Sequence, residues 1–266
     1  MSAVDHPLRL AVGSHQAGSG RGCAMNVISW ESGDTMITDM PACADRVLAL
    51  IVQRVNDSIC THRDGDLLCP ACSVKVLDLA HRIVGTGTHP LTEMERRRVW
   101  VRVAADQARQ VLHLTSAPEA LAAIEAAEGW CDGTVTAEQC RIAATATTAN
   151  TANTANAAAA AANAAAHANA ANTANAAAAA AANAAAVADV GEAAGRAANA
   201  TVCAIYAAAY VIYAAAYVAH AAYAAERLRL AHRAVDVWCE WAGFTPAAPE
   251  PVIVTKAIEQ MLQVAQ

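Results

Sequence analysis

Between residues 148 and 186 the chain reads "TANTANTANAAAAAANAAAHANAANTANAAAAAAANAAA", without a charge, a glycine or a proline. No other stretch restricts the fold as strongly. Ala loses no side-chain entropy on entering a helix, and it offers neither the branching nor the aromatic surface that a strand packs with. A helix is therefore expected from about residue 137 to about residue 189. The Asn residues from Asn150 to Asn183 oppose it, because each costs about 0.6 kcal/mol of helix propensity relative to Ala. Helix stability does not explain them, which leaves solubility, hydrogen bonds between helices, or a surface role.

At about 100° per residue, Asn153, Asn156, Asn163 and His167 share one side of such a helix, and Asn169, Asn172 and Asn183 lie opposite. A polar stripe that crosses over suits a helix that changes its packing partner midway. With no Cys or carboxylate one turn away, His167 reads as a member of the stripe and not as a ligand.

The next apolar segment, "IYAAAYVIYAAAYVAHAAYAA", has a sharper pattern. Tyr206, Tyr210, Tyr213, Tyr217 and His220 step by four and three, a heptad-like seam with Ala between the rings. Each buried Tyr hydroxyl needs a partner, which Asn and Thr of a neighbouring tract could supply. The expected arrangement is an antiparallel hairpin in which helix 137–189 packs on helix 193–242, with Gly191 and Gly195 near the turn. Ala faces bring helix axes to the short end of about 8–10 Å.

Before the tract the sequence is ordinary helical material, and the single Phe of the chain favours a core of closely packed helices. Capping boxes are legible at Thr92 with Glu95, Ser116 with Glu119, and Thr136 with Gln139. Helix stops are expected at Gly85, Gly129 and Gly243. These marks place helices near 22–33, 41–58, 67–84, 93–113, 117–128, 137–189, 193–242 and 253–265, an all-α chain with no alternating strand pattern. The expected domains are a loose N-terminus over 1–21, a helical bundle over 22–136, the Ala-rich hairpin over 137–242, and a hinge with a short last helix over 243–266.

Charge and cysteines exclude some functions. The net charge of −6, with basic residues spread thinly except for Arg96, Arg97 and Arg98, does not suit a nucleic-acid binder. Glu93 and Glu95 flank that triplet, which reads as a solvated helix face. The N-terminus has no basic start and apolar core of a secretory signal, and an odd number of cysteines in helical sequence does not look like a disulfide framework. Both point to reduced thiols and a cytoplasmic location. Cys23 and Cys43 read as packing residues beneath the first helices. Glu31, Asp34 and Asp39 read as caps and solvated charges.

The chemistry-bearing candidate is "CTHRDGDLLCPAC". Cys60, His62, Cys69 and Cys72 offer four soft ligands in a short span, enough for a tetrahedral zinc site. Pro70 also suits the first turn of a helix, so the C-x-x-C spacing has a second explanation as helix-start sequence. No nucleophile elbow, Walker lysine or H-E-x-x-H motif is present, no cofactor is implied, and no catalytic residue is assigned.

Two other readings stay open. The Asn-Thr-Ala-Asn quartets at 150–153 and 172–175 are twice eleven residues apart and return to nearly the same helix face. In this the tract resembles the alanine-rich helical antifreeze proteins, which implies ice contact through Thr151, Thr154 and Thr173. Position 162 is Ala where that pattern wants Thr. Residues 197–225 carry no Lys, Arg, Asp or Glu and are long enough to cross a bilayer. Tyr residues through the middle and His220 argue against insertion.

Finally, Gly22, Cys23, Ala24 and Met25, Pro41 and Cys43, Asn56 and Asp57, and Val84, Gly85 and Thr86 together resemble the signature of a set of largely uncharacterised, alanine-rich helical proteins of actinobacteria and their phages. Residues 26–32 are more polar than that pattern, and the Cys69–Cys72 run is not part of it. The resemblance implies an all-helical fold and transfers no activity. The function expected from the sequence is therefore a non-catalytic structural or interaction protein that self-associates through its helices.

Overall fold

The computed structural model describes residues 9–13, 15, 21–110, 112–114, 117–158, 179, 181–182 and 219–247, with side chains left out at 148–158 and 219–223. Seven α-helices with defined bounds make up the fold: α1 (Ala24–Glu31), α2 (Arg46–Ser58), α3 (Pro70–His81), α4 (Glu93–Gln110), α5 (Pro118–Cys131), α6 (Ala137–Ala158) and α7 (Ala219–Ala242). Among the described residues there are no strands, only isolated bridges. The fold is all-α. The chain divides into two compact units, residues 1–89 with 245–266, and residues 90–244. Helices α4, α5, α6 and α7 belong to the second of these units.

In the first unit α1, α2 and α3 pack pairwise on one another. Helix α2 buries Val47, Leu48, Ile51, Val52 and Val55, a stripe with the 3.6-residue period. It begins later than the sequence suggests. Residues 41–45 do not enter the helix, and Asp45 is the N-cap, its carboxylate accepting from Val47 N at 2.9 Å. The turn after α3 folds onto this start: Gly85 N and Gly87 N both donate to the Cys43 carbonyl, at 2.7 and 3.1 Å, and Asp45 N donates to Thr86 Oγ1 at 2.8 Å. Helix α3 ends before the expected stop, at His81 with Arg82 as its right-handed C-cap, and Gly85, φ +90°, shapes the turn that follows.

Acidic residues expected to be solvated are engaged instead. Glu31 pairs with His81 at 2.8 Å, joining α1 to α3, and both side chains are largely buried. Asp34 accepts from Ser29 Oγ at 2.7 Å and Asp39 from Asn26 Nδ2 at 2.7 Å. The segment after α1 folds back over the helix, which separation along the sequence does not reveal. Cys23 and Cys43 have separate partners, Asp39 and Ser32 respectively.

In the second unit α4 packs against both α5 and α7, and α6 packs on α5. A helix with neighbours on two sides cannot keep a single apolar stripe. Accordingly α4 buries Val99, Trp100, Val101, Val103, Ala104, Ala105 and Ala108 around most of its girth. Arg97, expected on a solvated face, is buried, with its guanidinium 4.7 Å from the Trp130 ring centroid. Arg102 stacks on Trp241 at 4.2 Å and pairs with Asp132. Arg233 grips Asp106 with two nitrogens, the closest contact being 2.6 Å. Helices α4 and α7 run antiparallel, since Gln110 meets Arg229, Asp106 meets Arg233, and Arg102 meets Trp241.

The boxes at Thr92/Glu95 and Thr136/Gln139 form in both directions. Ser116 lies outside the described residues, and α5 instead starts from Ala117 with Pro118 at its first position and no side-chain cap. Nor does α5 stop at Gly129: it runs to Cys131, and the left-handed residue is Gly133, φ +76°. Gly129 is needed for space, because a Cβ there would stand 2.6 Å from Val135 Cγ2 as the chain turns back. The α5–α6 contact uses small residues. Ala120, Ala123, Ala127, Cys140 and Ala144 are all buried, and Thr147 Oγ1 donates to the Glu119 carbonyl at 2.9 Å.

Of the Ala tract, residues 148–158 continue α6, and Ala179, Ala181 and Ala182 are helical and buried. Thr151 and Thr154 lie on α6 and His220 on α7, without described side chains. Thr173, Tyr206, Tyr210, Tyr213, Tyr217, the hairpin turn and the expected helix 253–265 lie outside the described residues. No helix among the described residues is long and apolar enough to cross a membrane.

Candidate metal centre

Two helix ends and the loop between them create the site. Helix α2 stops at Ser58, and Cys60 follows as a buried residue only 4 % exposed. The chain then makes a tight turn, Asp64 and Leu67 exchanging both backbone hydrogen bonds at 3.0 Å around Gly65, whose φ of +61° favours glycine. The returning arm is fastened to the N-terminal segment. Leu68 N donates to the Leu10 carbonyl at 2.8 Å, Val12 N to the Asp66 carbonyl at 2.9 Å, and Arg9 Nε to the Leu68 carbonyl at 3.2 Å. Arg9 and Arg21 add ion pairs to Asp64 and Asp66.

The arm delivers Cys69 as the N-cap of α3, with Pro70 at the first helical position, where its missing N–H costs nothing. Ser73, fully buried, ties this start down by donating to the Cys69 carbonyl at 3.1 Å while accepting from Leu10 N at 3.0 Å. Cys72 lies in the first turn, facing back to Cys60 and Cys69. The three Sγ atoms are all within 4.8 Å of one another. Cys69 N donates to the Cys60 sulfur at 3.3 Å, so the end of α2 and the start of α3 meet through sulfur.

The Cys60, Cys69 and Cys72 part of the expected ligand set is thus assembled, and His62 stands outside it. His62 is exposed, with Nδ1 3.3 Å from Thr61 Oγ1, because the turn carries residues 61–63 into solvent. Among the described residues no other group of three His, Cys, Asp or Glu side chains has metal-binding spacing.

The electrostatics distinguish the three sulfurs. The backbone N–H of Cys72, at the start of α3, favours the Cys69 thiolate and holds its pKa below the usual thiol value, with neighbouring thiols helping. Burial, together with the other two sulfurs, pushes Cys72 up to about 12. Of the two, Cys69 gives up its proton more readily and Cys72 keeps its own. A cation at the centre would reverse that preference and release protons, as soft metal ions do on binding thiols. For comparison, zinc–sulfur bonds of about 2.3 Å in a tetrahedron put sulfurs about 3.8 Å apart, so closing on an ion asks each thiol to move by less than about 1 Å.

The remaining described cysteines form no disulfide and are dispersed. Cys131 donates to the Arg98 carbonyl and Cys140 to the Ala126 carbonyl, and burial raises both thiols, to about 12 and about 11. They behave as packing residues. A scan against protein-family models and searches of curated proteins and of solved structures matched nothing to this chain.

Proposed function

We propose that the first unit is a metal-stabilised helical module in which Cys60, Cys69 and Cys72 bind one soft divalent ion, zinc by ligand type. The chain as a whole is then a non-catalytic interaction protein. The observation that carries this reading is the convergence of three thiols within 4.8 Å from two helix ends separated by a hydrogen-bonded loop. His62 or a water completes four-coordination. The ion's task is structural: it joins the end of α2 to the start of α3 across the loop between them.

The test is metal analysis of reduced protein purified without chelator, followed by melting with and without added zinc. About one zinc per chain is expected. At a free concentration one hundred times the dissociation constant, zinc adds about 2.7 kcal/mol, which raises the first unit's midpoint by about 11–22 °C, and chelation reverses it. Protein that carries almost no metal and melts identically with zinc would refute the reading.

The Ala-rich region suits self-association through an antiparallel hairpin seamed by Tyr206, Tyr210, Tyr213 and Tyr217. Support comes from the small-residue contact of α5 with α6 and from the burial of Ala179, Ala181 and Ala182. Solution mass by light scattering is the measurement that bears on it. The resemblance to alanine-rich proteins of actinobacteria and their phages agrees with a helical interaction role and adds no activity.

A further inference from the structure

We propose that Cys69 and Cys72 form a reversible disulfide when the protein meets a small-molecule disulfide, and that this oxidation expels the metal ion. The second half rests on the metal-binding reading above; the disulfide itself does not.

The geometry favours this pair over the other two. Cys69 and Cys72 are the N-cap residue and the third residue of the same helix. An N-cap residue and the third helical residue share one face of the first turn, so the chain need not reverse to bring the two side chains together. Their sulfurs already lie within 4.8 Å, so side-chain rotation brings them to bonding distance. Both residues are partly exposed, whereas Cys60 is 4 % exposed and already accepts the Cys69 N–H. An oxidant arriving from solvent meets Cys69 and Cys72 before Cys60. Pro70 donates no hydrogen bond, so the peptide between the two cysteines has one bond fewer to rearrange.

The step balances without any group held by the protein. The Cys69 thiolate attacks one sulfur of the small disulfide and releases one thiolate, leaving a mixed disulfide on Cys69. Cys72 gives its proton to solvent and attacks the Cys69 sulfur, which releases the second thiolate. Two electrons pass from the protein pair to the small disulfide, which becomes two thiols. Cys60 remains a thiol. Of three sulfur donors the metal keeps one, and it dissociates.

The experiment uses the full chain in two forms, zinc-loaded and chelator-stripped, each first reduced and then treated with oxidised glutathione. Alkylation in denaturant and peptide mass spectrometry map the products, while a chromogenic chelator reads zinc release. Expected are a Cys69–Cys72 bridge reversed by dithiothreitol, alkylated Cys23, Cys43, Cys60, Cys131 and Cys140, and release of one zinc per bridge. In C72S the reaction should stop at glutathione on Cys69. A bridge through Cys60, or Cys69 and Cys72 that remain alkylatable in both forms, overturns the pairing. A bridge that forms with zinc retained overturns the release. Reduced protein that takes up no zinc removes the metal reading, and the map of the stripped form still decides the disulfide.

Discussion

Gly87→Ala tests how the first unit is closed, and its size follows from the turn after α3. A Cβ at residue 87 would stand 2.3 Å from the Ala42 carbonyl oxygen and 2.7 Å from that of Ala44. Both obstacles are backbone and cannot swing aside. Non-bonded heavy atoms settle at about 3.5 Å, so the turn must retreat by about 1 Å. That retreat breaks the Gly85 and Gly87 hydrogen bonds to Cys43 and pulls Thr86 from Asp45 N. At about 1 kcal/mol net for each bond, the loss is about 3 kcal/mol. For a unit of this size that lowers the midpoint by about 12–24 °C.

Differential scanning calorimetry or far-ultraviolet circular dichroism reads the change, with Thr86→Val as companion. Thr86→Val alone should cost about 1–2 kcal/mol. The double variant should cost less than the sum, because Gly87→Ala has already opened the clasp that the hydroxyl closes. A drop of less than about 4 °C for Gly87→Ala, or strict additivity in the double variant, would refute the reasoning.

Two further predictions concern the second unit. Gln107 is fully buried and neither its amide nitrogen nor its amide oxygen has a partner; Gln107→Met keeps the unbranched shape and should stabilise by about 1–3 kcal/mol, seen as a higher midpoint on thermal melting. Thr92 N and Oγ1 both donate to the Glu95 carboxylate, holding its pKa below 4.5. A carboxylate with a depressed folded pKa contributes stability above its unfolded value, and loses it as pH falls through the folded one. The melting difference between wild type and Glu95→Gln should therefore be present at about pH 7 and shrink by about pH 3, and a gap that widens in acid would count against the box.

Legibility in the sequence followed the range of the interactions. Thr92/Glu95 and Thr136/Gln139 could be read because both partners of each box lie within one helical turn. Gly243 could be read because a left-handed stop is a property of the residue itself. Arg97 was misjudged because its partner, Trp130, is on another helix, and the Glu93 and Glu95 beside it in the sequence say nothing about that packing. Glu31 was missed for the same reason, its partner His81 being fifty positions away. At Gly129 the residue type signalled a constraint, but of space and not of φ. The metal candidates divide similarly: the sequence named Cys60, Cys69 and Cys72 together with His62, whereas setting His62 apart required knowing that the turn at Gly65 carries residues 61–63 into solvent.

The second unit is an insertion, since residues on both sides of it belong to the first. Because α4 and α7 are antiparallel neighbours locked by Arg233–Asp106 and Arg102–Trp241, the two strands of chain that leave this unit depart from the same end of that helix pair. Those locks are made by α4 and α7 alone, so one set of contacts fastens both ends of the unit.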